Sequence, residues 1–274
     1  MMIINALPNL DAWSRVFRDM EIPILRESAV GLAEMIVDED RASPIAIGRL
    51  AQADPLLTLR ILALAARHRS RRAVTDTETA VTGVVMMGLG RFFDDFRSPA
   101  VVEDLLADDA DALAGLQQVI DRGFRAAGFA LGFAVHRLDT DAEVIQEAAM
   151  LHDFAEMLLW CRAPALARRI RDRQAADPAL RSAQAQLEVL NIRLQDLQRA
   201  LMQAWHLPEL LAQITDREHL DNPQVRNVVL AVDIARHTQL GWDNPAVPDD
   251  LTEIGRLLNL TPESARRKVM GLDA

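Results

Sequence analysis

A chain of 274 residues, 50% of them apolar and 26% charged, can bury a sizeable core, which excludes an intrinsically disordered protein. A formal net charge of −10 argues against a protein that coats nucleic acid, while leaving room for a local basic patch. The single cysteine, Cys161, excludes an internal disulfide and fits a reducing compartment, and no apolar run reaches the roughly 18–20 residues of a membrane span.

The first residues, "MMIINALPNLDAW", carry neither the charged stretch nor the long apolar stretch of a signal peptide, so the cytoplasm is the expected compartment. Strand signals are almost absent: there is no tyrosine, and no segment alternates apolar and polar residues between turn dipeptides. Helix signals recur along the whole chain. Leu25, Leu32 and Ile36 fall at i, i+7 and i+11, on one helical face. Two helix starts are punctuated alike, by Ser43 before Pro44 and by Asp54 before Pro55. In each, a side-chain oxygen caps the orphan N–H groups and the proline has no N–H to lose. The pattern predicts further helices near 77–87, 90–97, 110–137, 141–160, 163–175, 180–204, 207–216, 223–239, 249–258 and 262–270. "ARHRSRRAVTDTE" separates two early helices, and the acidic "RSPAVVEDLLADDADAL" reads as a surface connection between two lobes. The turn-rich "TQLGWDNPAVPDD" sets off the last helix pair. The fold class is all-α.

The most chemical dipeptide is His152-Asp153, inside the apolar pattern "AMLHDFAEMLLWC". An HD-type phosphohydrolase needs a histidine from one helix, an adjacent His-Asp from a second and an aspartate from a later one. Imidazoles and carboxylates then converge on a cation that activates a water against phosphorus. Asp233 is placed to be the late carboxylate. The first histidine is missing: Gly123, Phe124 and Arg125 stand where it is needed, and His136 lies too close to the pair to replace it. Ala155 and Glu156 follow the pair where such a hydrolase carries Gly and Lys, and Glu156 would repel a phosphate. We therefore read His152, Asp153 and Asp233 as the remnant of a metal site, satisfied by hydrogen bonds between helices, with no metal, no cofactor and no catalytic residue.

Taken in order, several segments resemble the HDOD domain, a non-catalytic relative of the HD phosphohydrolases found in bacterial signalling proteins. They are "IPILRESAVGLAEMIVDEDRASPIAIGRLAQADPLLTLRILALAA", "RRAVTDTETAVTGVVMMGLGRF", "AAMLHDFAEMLLW" and "LMQAWHLPELLAQITDREH". The resemblance runs from about Leu7 to Thr238. It implies a two-lobed helical bundle over 1–240, with an N-terminal lobe at 1–100 and an HD-like lobe at 101–240. Residues 241–274 would add a helix pair packed on the domain. It also implies a bacterial, non-enzymatic regulatory module that works through contacts with a signalling protein, as an output or response-regulator-type component of a two-component pathway. The chain departs from the family at Ala155-Glu156, and only His219 stands where paired histidines often occur. A residual metal-dependent hydrolase using His152, Asp153 and Asp233 is the first alternative.

Basic side chains supply the remaining candidates. Arg67, Arg69, Arg71 and Arg72 form the densest positive run and would meet an acidic partner or a phosphate, or else a solvated loop. "LTEIGRLLNLTPESARRKVMG" reads as a helix-turn-helix, with an apolar face of Leu251, Ile254, Leu257 and Leu258 and a Thr261-Pro262 start. Arg266, Arg267 and Lys268 would then contact DNA, as in a transcriptional regulator. The alternative is a helical hairpin packed on the domain. Cys161 is expected to be a buried, inert thiol, and Met86 and Met87 are expected in the core.

Overall fold

The computed structural model describes residues 2–68, 78–177, 179–214 and 219–273. The helices are α1 (Leu10–Arg18), α2 (Arg26–Val37), α3 (Pro44–Gln52), α4 (Pro55–His68), α5 (Ala80–Met87) and α6 (Leu89–Asp95). Next come α7 (Val102–Leu105), α8 (Ala110–Arg137), α9 (Ala142–Met150), α10 (Phe154–Arg162), α11 (Pro164–Ala176) and α12 (Ser182–Leu190). The series ends with α13 (Leu194–Ala204), α14 (Glu209–Ile214), α15 (Pro223–His237), α16 (Val247–Leu258) and α17 (Pro262–Leu272). The fold is all-α. Among the described residues the extended pairing is one isolated bridge, Ile24 with Val101.

The predicted starts form as the caps dictate. Ser43 accepts from the Ala46 N–H at 3.1 Å, and Asp54 accepts from Leu56 and Leu57 at 2.9 and 3.0 Å. Two helices expected to run through are broken. The 141–160 pattern stops after Met150 and restarts at Phe154, so His152 and Asp153 occupy the turn between α9 and α10. The 180–204 pattern breaks at Asn191, whose left-handed φ of 64° ends α12. The acidic connection contains one short helix, α7.

The chain divides into two compact units, Met1–Val119 with Asp153–Pro208, and Ile120–His152 with Glu209–Ala274. In the first, α4 is buried almost throughout, Thr58 and Arg60 included, and packs against α3, α5 and α10. Ile24, Leu32, Ile47, Leu57, Ile61, Val84, Phe92 and Phe96 close its core, with the Phe92 and Phe96 rings stacked at 4.4 Å. Met87 packs at the edge of that core. Met86 does not: it is 45% exposed, one residue and so about 100° around α5 from Met87. Two indoles tie α1 to the later helices, Trp13 Nε1 donating to the Leu190 carbonyl at 2.9 Å and Trp205 Nε1 to that of Arg18 at 3.2 Å.

In the second unit α15 is the central helix, packed against α9, α14 and α16, and α17 packs on α16. Asn227 of α15 is fully buried and donates to the Ala130 carbonyl of α8 at 3.2 Å. The 249–270 segment does form a helical hairpin. Leu251, Ile254, Leu257 and Leu258 are all buried, and Thr261 caps α17 by accepting from the Ser264 N–H. The turn is tight because Gly255 lies against the Leu260 carbonyl, 2.8 Å from where a Cβ would stand.

Candidate functional site

His152 and Asp153 follow the last turn of α9, where the Leu151 and His152 N–H groups still bond back to Glu147 and Ala149. Asp153 then starts α10 through its carbonyl, which accepts from Glu156 and Met157 at 2.9 and 3.2 Å, while its side chain makes no cap bond. Both residues are half-buried, and so is Asp233 in α15. None of the three is without an interaction partner.

Within the 123–125 stretch, where the sequence reading expects the first metal histidine, Arg125 holds α8, α15 and the end of α17 together. Its Nε and NH2 donate to the two oxygens of Asp273 at 2.8 and 2.7 Å. Its NH1 donates to the Ala235 carbonyl at 3.1 Å and its NH2 also to Thr238 Oγ1 at 2.8 Å. A guanidinium cannot ligate a cation and repels one. Among the described residues, no three His, Cys, Asp or Glu side chains come close enough to share an ion. The described residues do not fit an HD-type metal centre.

A second polar constellation lies at the α15–α16 contact. His237 Nδ1 is 2.6 Å from Asp250 Oδ2, at the C-terminal end of α15 and in the first turn of α16. Burial pushes the Asp250 carboxyl up, the bond from His237 pulls it down, and the neighbouring charges of Asp233 and Asp249 push it up again. At the other end of α16, His136 Nε2 lies 3.1 Å from the Leu258 carbonyl. Sequence reasoning missed both the Arg125 cluster and the His237–Asp250 pair. The signal for Arg125 was an arginine heading the small and apolar run "AAGFALGFAV" of α8.

Arg67 is exposed in the last turn of α4, beside a His68 whose Nε2 is 3.1 Å from Asp95; Arg69, Arg71 and Arg72 lie outside the described residues. On α17, Arg266 is exposed and Lys268 half-buried, and Arg267 is engaged by Glu263 at 2.9 Å and by Ser264 at 3.0 Å. Cys161 is buried, and its thiol is pushed up to about 12 by burial and by the charges of Asp54 and Glu103, so it is no nucleophile near neutral pH.

The HDOD domain family matches residues 22–220, well over half of the chain. The chain belongs to the HDOD domain family. Among solved structures, this HDOD chain is similar to the MmoQ response regulator from Methylococcus capsulatus strain Bath. The TM-score is 0.64 at 18% identity, covering 91% of this chain and 98% of that one. A virulence factor from Campylobacter jejuni subsp. jejuni aligns with a TM-score of 0.60 at 14% identity, over 95% of this chain and 92% of that one. At such identities the likeness is one of fold. No protein of curated function matches. Among the described residues of the HDOD chain, no helix is long and apolar enough to cross a membrane.

Proposed function

We propose that this HDOD protein is a non-enzymatic signalling module that acts through contacts with a signalling protein, as an output or response-regulator-type component of a two-component pathway. The observation that carries the reading is Arg125. A cationic side chain, engaged by Asp273, Thr238 and Ala235, stands in the 123–125 stretch where the sequence reading expects a metal histidine and finds none. Family membership supports the regulatory role, as does a fold shared with a protein named as a response regulator. The exposed Arg67 and the Arg69, Arg71 and Arg72 that follow it in sequence are the positions we assign to an acidic partner.

The test pairs a chemical and a binding measurement. With manganese present, wild type and His152→Ala are expected to hydrolyse phosphomonoesters and phosphodiesters at the same background rate. Capture from the native cell is expected to yield a signalling protein, and changing Arg67, Arg69, Arg71 and Arg72 to Gln is expected to lose it. Turnover that disappears in His152→Ala would return the chain to the hydrolases.

A further inference from the structure

The guanidinium of Arg125 is positioned by one set of contacts and occupied by another. Ala235 and Thr238, at the end of α15, hold NH1 and NH2. The Thr238 hydroxyl is itself fixed, donating to the Ile234 carbonyl at 2.6 Å, and the Phe129 ring centre lies 5.7 Å from the guanidinium carbon. All of these partners belong to α8 and the end of α15, so the fork stands in place without help from α17. Its outer edge, Nε and NH2, grips both oxygens of Asp273. Asp273 is the C-cap of α17, where backbone hydrogen bonding runs out and helices fray. At the same end, the Leu272 side chain fills the space over Gly132 of α8. The Arg125 and Asp273 side chains are 28% and 19% exposed, so solvent reaches the edge of the pair.

A preorganised guanidinium edge accepts any oxyanion that offers two oxygens side by side, and a phosphate group matches it as well as a carboxylate does. We propose that the Nε–NH2 edge of Arg125 is a binding site for a phosphate-bearing small ligand, closed by the chain's own Asp273, and that the ligand takes it by displacing the end of α17. One oxyanion replaces another on the same two donors. A phosphate brings a second negative charge near neutral pH, and the opposing cost is release of the last turn of α17. The exchange shares Arg125 with the role proposed above but not its test: phosphate can fail to bind while His152→Ala leaves the background rate unchanged, and the reverse, so either can fail alone.

Calorimetric titration of the full chain with inorganic phosphate tests it, on wild type, Asp273→Asn, Arg125→Lys and the double variant. Removing the internal competitor is expected to tighten phosphate binding at least about fivefold, including the case in which wild type binds below detection. Arg125→Lys keeps the charge without the fork and is expected to erase that gain. In wild type, saturating phosphate is expected to speed amide exchange across Val269–Leu272, with acetate needing a higher concentration for the same effect. Equal phosphate affinity of wild type and Asp273→Asn, a gain that survives Arg125→Lys, or α17 exchange indifferent to phosphate would each overturn the site.

Discussion

Arg60 is a charge that the first unit has taken inside. Its NH1 donates to Glu21 at 2.7 Å and to the Ile22 carbonyl at 3.1 Å, its NH2 donates to the Asp95 carbonyl at 3.0 Å, and its guanidinium lies 4.6 Å from the Phe96 ring centre. Arg60→Met would keep the packing and leave those carbonyls unpaired. It is expected to cost about 2–4 kcal/mol in chemical denaturation; a loss under ~0.5 kcal/mol would show the network to be dispensable. Asp109 offers a pH test. The Arg168 guanidinium, 2.5 Å away, holds its carboxyl below the usual range, and Arg171 does the same for Asp111. A depressed carboxylate adds stability above its ordinary value, about 4, and loses it as pH falls through the folded value. Wild type is therefore expected to lose urea resistance more steeply than Asp109→Asn as pH drops below about 4, and parallel slopes would contradict the pairing. Arg125 marks the limit of reading at this scale. Its partners lie 110 to 148 positions away in sequence, so the residue was legible as a missing histidine and not as a tie.

Helix starts were legible and helix interruptions were not. Ser43, Asp54 and Thr261 each precede a proline and each caps as the sequence dictates, because capping is decided within three residues. The breaks at 151–153 and 191–193 contain neither glycine nor proline, and the apolar spacing runs on across them. Asn191 was the one local clue, since asparagine tolerates the left-handed conformation it adopts. The break before Phe154 has no such clue in the sequence. The same scale gives a prediction for the terminal hairpin. Gly255→Ala would bring a Cβ to 2.8 Å from the Leu260 carbonyl, a backbone atom that cannot swing away. It is expected to cost about 1–3 kcal/mol and to raise amide exchange first in α17; unchanged exchange there would mean the turn has slack.

For the molecule as a whole, the sequence conveyed the helical class and the family, because amphipathic spacing and segment order are spread along the chain and depend on no single site residue. The two compact units were harder to see, since each is assembled from two stretches separated in the chain. The net charge of −10, and a hairpin whose Arg267 is engaged by Glu263, predict no mobility shift of DNA even at low salt. A sequence-specific shift lost on deleting 249–274 would favour a transcriptional regulator. The central claim is that the His152-Asp153 turn no longer builds a metal centre. Elemental analysis by plasma mass spectrometry, after incubation with manganese, iron and zinc and exhaustive dialysis, tests it most directly. Wild type is predicted to retain no more metal than His152→Ala; one or more equivalents per chain, lost in that variant, would contradict the account.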